Sequence, residues 1–180
     1  VNQTVGGVDP SGVNYAALGQ GYGSGNKLTL TQTGASNAAT VNQVGSANIF
    51  KSTQTSSNAN GGWNFVGGEA GWPEPGANPL VSSNGDYQPI TQIGTGNEYY
   101  SLQSGTNEWA FGSQIGNDNF LSSNQSGDTN KLFTVQNGDN NQIYGTQDGS
   151  LNLAEVSQMH DGSVAVFSQI GSGHTATITQ

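Results

Sequence analysis

The 180-residue chain has no cysteine and no arginine, and its only strongly basic side chains are Lys27, Lys51 and Lys131. Without cysteine, neither a disulfide framework nor a thiolate metal site can form, so stability has to come from backbone pairing and packing. Three cations against twelve carboxylates, a net charge of −9, leave almost nothing to displace counterions from a phosphate backbone, which excludes nucleic acid as a partner. Charged residues are 8% and hydrophobic residues 32% of the chain, too few for the large apolar core of an ordinary enzyme. No apolar run approaches the roughly 18 residues that span a bilayer, so membrane insertion is not expected. Val1 is not followed by the basic and apolar stretches of an export signal.

What is abundant is amide and glycine, and it is periodic. Glutamine stands at Gln32, Gln43 and Gln54, then every eleven residues at Gln92, Gln103, Gln114, Gln125, Gln136, Gln147, Gln158, Gln169 and Gln180. Two residues later comes glycine, at Gly34, Gly45, Gly94, Gly105, Gly116, Gly127, Gly138, Gly149 and Gly171, with Ser56 and His160 as the exceptions. Five residues after glutamine comes asparagine, at Asn37, Asn48, Asn97, Asn119, Asn130, Asn141 and Asn152, replaced elsewhere by Glu108, Ser163 and His174. Asn26, Gln20 and Asn14 extend the series backwards, with one extra residue between Gln20 and Asn26. The unit is Q-x-G-x-x-N-x-x-x-x-x-Q, and self-similarity at a fixed period marks a repeat architecture.

Six steps separate each asparagine from the next glutamine, and β alternation puts Asn, N+2, N+4 and Gln on one face. At N+2 stand Ala16, Leu28, Ala39, Phe50, Tyr99, Ala110, Leu121, Leu132, Ile143, Ala154, Ala165 and Ala176, which makes that face the inward one. N+1 mixes Lys27, Glu98, Lys131 and Gln142 among apolar residues, as outward positions do. The fold class expected is all-β: a two-sheet β-solenoid of strand–arc–strand coils, about 22 residues each, stacked in parallel register as in cross-β. Large residues then face small ones across the core, Tyr99 against Gly112 and Phe167 against Ala176, as dense packing requires. Asn and Gln at the strand ends stack on their counterparts one coil away, so buried amides are satisfied by columns of their own kind.

Four regions follow: an irregular segment 1–13, repeats over 14–54, an insertion with degenerate repeat strands over 55–91, and regular repeats over 92–180. Between Gln54 and Gln92 the spacing is 38, and the stretch holds Trp63, Trp72, Pro73, Pro75 and Pro79. Asn60–Val66 and Asp86–Gln92 read as two degenerate strands, with a loop over about 67–85 between them. At the start of the chain, Val1 and Gln3 fit the N+4 and Gln positions.

No constellation points to catalysis, a metal or a cofactor. Asp118, Asp128, Asp139, Asp148 and Asp161 all fall in the arcs as solvated turn residues, without the carboxylate density of a calcium loop. His160 and His174 replace repeat residues and read as polar stand-ins. Phe111 and Phe133 at N+3, with Trp109 above Lys131 at N+1, form an outward patch with a cation–π contact. Thr29, Thr31, Thr175, Thr177 and Thr179 line outward faces, but Tyr100, Phe111, Ser122, Phe133 and Glu155 interrupt them, which disfavours a flat ice-ordering surface.

The unit as written in Gln114-Ile115-Gly116-Asn117-Asp118-Asn119, running to Gln125, closely resembles the curlin repeat of bacterial curli subunits. The resemblance covers about residues 14–54 and 86–180. It implies a secreted, extracellular functional amyloid that polymerises with itself into biofilm matrix fibres, served by a nucleator, a secretion channel and a chaperone. The long insertion departs from that pattern, and the resemblance is compatible with either a major or a nucleating subunit. Independently, an open solenoid ends in unpaired strands, which makes Val1, Gln3, Asn14, Gln20, His174, Ala176, Ile178 and Gln180 the expected subunit interface. Prolines at Ala176 and Ile178 are expected to stop elongation and spare the core. The competing expectation is a monomeric solenoid adhesin presenting the Trp63–Trp72 loop.

Overall fold

Each stretch from asparagine to glutamine forms a β-strand, and each Gly-containing arc reverses the chain onto the opposite sheet. The computed structural model describes residues 2–6, 15–21, 23–34, 37–56, 64–66 and 90–180. Among them there is no helix. One sheet contains, in spatial order, β1 (Asn2–Gly6), β3 (Lys27–Thr33), β5 (Ile49–Ser56), β8 (Glu98–Thr106), β10 (Phe120–Asp128), β12 (Gln142–Ser150) and β14 (Val164–Ser172). The other contains β2 (Tyr15–Gln20), β4 (Asn37–Ser46), β6 (Asn64–Val66) with β7 (Ile90–Thr95), β9 (Trp109–Ile115), β11 (Lys131–Asn137), β13 (Leu153–Gln158) and β15 (Thr175–Thr179). Every pairing is parallel, and in the regular region it joins residues 22 apart, as in Gln103↔Gln125 and Gln125↔Gln147. The expected two-sheet β-solenoid is the fold, with seven levels in each sheet.

The inward face packs as its alternation demands. Leu28, Phe50, Tyr99, Leu121, Ile143, Ala165 and Phe167 from one sheet join Ala39, Val41, Ile90, Ala110, Leu132, Ala154 and Val156 from the other in one core. Size complementarity also runs along the stack. Phe50 and Tyr99 stack with ring centroids 5.5 Å apart, and Phe167 lies over Gly145, where a Cβ would overlap its ring. Trp109, Phe111 and Phe133 form a separate cluster on the outward side of their sheet. Phe111 and Phe133 are stacked at 5.4 Å, and the Lys131 ammonium lies 5.2 Å from the centre of the Trp109 ring. These outward aromatics are buried rather than solvent-facing.

The arcs use two left-handed positions, of which the repeat advertises one. All nine arc glycines have φ between 83° and 135°. At Gly127 the reason is steric as well as torsional, because a Cβ there would overlap the carbonyl oxygen of Gly149 one level on. Two residues later a second positive φ recurs, at Ala47, Asn107, Asp118, Thr129, Asn140 and Leu151, between 55° and 62°. The same position is glycine at Gly25, Gly96, Gly162 and Gly173, with φ between 70° and 75°, so it is shared between glycine and other residues and the sequence carries no constant residue to mark it.

Two expectations need correction. The stretches on either side of the insertion are not two degenerate strands but two halves of one. β6 pairs Asn64, Phe65 and Val66 with Asn37, Ala38 and Ala39, and β7 resumes with Ile90 opposite Val41. Residues 67–89 therefore stand in place of a single outward residue in the middle of a strand, and Asn64 is a column asparagine. Its position ten residues after Gln54, rather than five, hid it from the period. At the start of the chain, β1 pairs Gln3 with Leu30 and Val5 with Gln32. Gln3 thus sits at the N+4 level and Val5 at the Gln level, two residues away from the sequence reading. A two-residue shift leaves every side chain on the same face, so alternation alone could not separate the two registers.

Candidate functional site

The amide columns begin with the glutamines. In the first sheet, Gln32 Nε2 donates to Gln54 Oε1 (3.0 Å), Gln54 to Gln103 (3.0 Å), Gln103 to Gln125 (3.0 Å), Gln125 to Gln147 (2.8 Å) and Gln147 to Gln169 (2.8 Å). In the second, the same bonds run from Gln20 through Gln43, Gln92, Gln114, Gln136 and Gln158 to Gln180, at 2.8 to 3.3 Å. The same Nε2 groups also reach backbone carbonyls of the opposite sheet, as Gln125 does to Trp109 O (2.9 Å). Each glutamine therefore ties its own column to the facing strand as well as to its neighbours. Nearly all of these residues are buried, and a buried amide left unpaired costs about 1–3 kcal/mol.

The asparagine columns run the other way. Asn119 Nδ2 donates back to Asn97 Oδ1 (3.0 Å), Asn97 to Asn48 (3.1 Å) and Asn152 to Asn130 (2.9 Å). Asn26 Oδ1 accepts from Asn48 N, and Asn119 Oδ1 from Asn141 N. In the second sheet Asn64 Nδ2 reaches Asn37 Oδ1 (3.4 Å). Because glutamine donors point towards the C-terminal end and asparagine donors towards the N-terminal end, the side-chain dipoles of the two kinds of column oppose one another. Asparagine Nδ2 also clasps the carbonyl of the arc glycine 19 residues on, as Asn97 does to Gly116 (2.8 Å) and Asn119 to Gly138 (2.7 Å). Where that glycine is replaced by His160, Asn141 Nδ2 is buried without a partner.

The arc carboxylates have a structural use that the sequence did not disclose. Asp139 Oδ1 accepts from the backbone and side-chain nitrogens of Asn117 (2.7 and 3.2 Å), and Asp161 Oδ1 accepts from Asp139 N (2.8 Å). Each closes the arc one level below. Among the described residues, no group of three or more His, Asp or Glu side chains is placed to hold a metal ion.

At the last level, Gln180 Nε2 donates to Val164 O (3.1 Å), Gln169 Nε2 to His174 O (3.0 Å), and the His174 ring Nε2 lies 3.0 Å from Ile170 O. The backbone there has a definite polarity. Leu153 N donates to His174 O, and Gln180 N to Ser157 O. In a parallel strand a residue's N–H and C=O point to the same side and alternate from one residue to the next, so Ala176 and Ile178 also pair with β13. Thr175, Thr177 and Thr179 direct their backbone groups away from β13, to the side where no strand pairs with β15 among the described residues. Prolines at Ala176 and Ile178 would therefore break the existing ladder, and an edge-blocking proline belongs at Thr177 or Thr179. At the opposite end Gln20 opens the second column, and β1 contributes the backbone of Gln3. Val1, Asn14, Trp63 and Trp72 lie outside the described residues.

The family model described as the curlin associated repeat matches residues 12–34. Neither the comparison with curated proteins nor that with solved structures gives a match. The matched stretch contains Gln20, Asn26, Gln32 and Gly34, one complete unit of the pattern that the columns repeat through both sheets, so over these residues the chain is similar to the curlin associated repeat.

Proposed function

We propose that this chain is a structural, non-catalytic subunit of an extracellular curli-like amyloid fibre of the biofilm matrix, stacking end to end through its first and last levels. The observation that carries the reading is the polarity of the columns and of β15, the last described strand. Gln180 offers an amide donor and β15 offers the backbone groups of Thr175, Thr177 and Thr179, with no strand beyond them among the described residues. The N-terminal end has the complementary form, since Gln20 begins the same glutamine column and every later glutamine in it accepts from the level before. In register, Ala176 of one copy stands over Ala16 of the next, which continues the inward apolar positions. A head-to-tail contact of this kind does not close, so it generates a filament, adding about 33 Å per subunit at about 4.8 Å per level. The nucleator, secretion channel and chaperone that the family resemblance implies would act on this same chain during export.

Substituting Thr177→Pro and Thr179→Pro tests the reading. Both remove donors from the open edge and leave the pairing with β13 in place. Freshly desalted protein is expected to polymerise with a lag that seeds abolish, and the double variant to remain monomeric with unchanged far-ultraviolet circular dichroism. Growth of the double variant at the unmodified rate would reject end-to-end stacking through this edge.

A further inference from the structure

Glu108 is the one carboxylate that occupies a column position. It follows Gln103 by five residues, at the level where other units carry asparagine, and is fully buried. Its backbone N–H donates to Asn64 Oδ1 (3.1 Å), and its Oε1 accepts from Asn130 Nδ2 (3.2 Å), so it takes the place of an asparagine between two asparagines. The match is incomplete at the other oxygen. Asparagine presents one acceptor to the level above and one donor, Nδ2, to the level below and to the arc. Glu108 Oε2 stands in the donor's role and has no hydrogen-bond partner. An ionised carboxylate cannot donate at all, whereas a protonated one has one O–H and keeps an acceptor, the same inventory the column asks of an amide.

We propose that Glu108 is held in the folded solenoid as a neutral carboxylic acid, so that winding this level takes a proton from solvent and makes the stack less stable as pH rises. Burial is the main force and pushes the carboxyl up to about 8. The donors of Asn130 pull it back and the Asp128 carboxylate, in the neighbouring arc, adds to the rise. Among the described residues, the level before contributes Asn64–Val66 and Ile90–Thr95, none of them titratable. Lys131, on the level after, has its ammonium over the Trp109 ring on the outward side. The sign follows from the raised value. Between the ordinary carboxyl value of 4.5 and about 8, the folded chain binds a proton that the unfolded chain does not. The folding equilibrium constant therefore falls by up to about tenfold per pH unit in that window, and Glu108 contributes no slope outside it. If the chain stacks as proposed above, fibre growth inherits the same dependence.

Two measurements decide the matter without requiring a polymer, so their failure is separate from failure of the self-assembly reading. The infrared spectrum of the folded chain at pH 6.5, where ordinary carboxylates are ionised, is expected to retain the carbonyl band of a protonated acid, and Glu108→Gln is expected to remove it. Denaturant midpoints between pH 5 and pH 8 are expected to fall with pH more steeply in the unmodified chain than in Glu108→Gln. Should that variant fail to fold, Glu108→Asn restores the residue most of the column carries, and the infrared band of the unmodified chain stands alone as a test. Absence of the band, or equal slopes in the unmodified chain and the amide variant, would overturn the proposal.

Discussion

Replacing Gln125 with methionine isolates what one rung of a glutamine column contributes. The two side chains have similar length and volume, so the substitution changes hydrogen bonding with little change in packing. Gln125 accepts from Gln103 (3.0 Å) and donates to Gln147 Oε1 (2.8 Å) and to Trp109 O (2.9 Å), all of them buried contacts. Gln103 Nε2 retains its bond to Glu108 O, whereas Gln147 Oε1 loses the donor that its column supplies. Three buried bonds at about 1 kcal/mol each place the loss near 3 kcal/mol. The matched control is Gln142→Met. Gln142 lies on the exposed face of β12 and its side-chain oxygen accepts from the Tyr144 hydroxyl (3.1 Å), outside the columns, so its expected effect is within about 0.5 kcal/mol. Urea unfolding of freshly desalted monomer reads both, provided the denaturant slope is the same in the two variants. If Gln125→Met and Gln142→Met fall within about 1 kcal/mol of each other, the columns are not what holds the levels together.

The remaining expectations concern the arcs and are read by the same unfolding measurement. His160→Gly should raise stability by about 1 kcal/mol, because it restores an arc glycine beside the orphaned Asn141 Nδ2; no gain would mean that this amide is already satisfied. Leu151 is exposed and held at φ 57°, so Leu151→Gly should also stabilise by about 1 kcal/mol through relief of a left-handed conformation, and a loss would show that its side chain packs in solution. Gly127→Ala should cost about 3 kcal/mol or more, since the new Cβ meets the Gly149 carbonyl oxygen at φ 118°; a cost below about 1 kcal/mol would require the arc to be looser than described.

Most of the fold could be read from the sequence because two independent periodicities agree. The eleven-residue spacing of Gln, Gly and Asn fixes the strand ends, and apolar residues at N+2 fix the inward face, so a parallel two-sheet stack follows without tertiary information. What escaped reading has identifiable physical causes. Asn64 was hidden because five extra residues lengthen its arc and 67–89 interrupts its strand after Val66. The register of β1 was ambiguous because Gln3 and Val5 share a face. The direction of each column depends on which amide end donates, and neither Asn nor Gln announces that in one dimension. The role of Glu108 was obscured for a similar reason. As a substitution in a motif it looks incidental, and only the geometry between Asn64 and Asn130 reveals a buried carboxyl with one oxygen left over.

The claim on which the account rests is that one molecule's last level pairs in register with the next molecule's first, and the absence of native cysteine allows a clean test. Thr4 and Ser168 hold equivalent places one residue before the Gln level, since Thr4 pairs with Thr31 and Ser168 with Thr146. Across a head-to-tail junction they would be neighbours at about 4.8 Å, within the Cα separation of about 4.4–6.8 Å that a disulfide accepts. Mixing a Thr4→Cys chain with a Ser168→Cys chain under oxidising conditions should yield covalent heterodimers in growing fibres, and neither variant should cross-link alone. Fibres that grow normally without heterodimers, or Ser168→Cys chains that cross-link to each other, would contradict it.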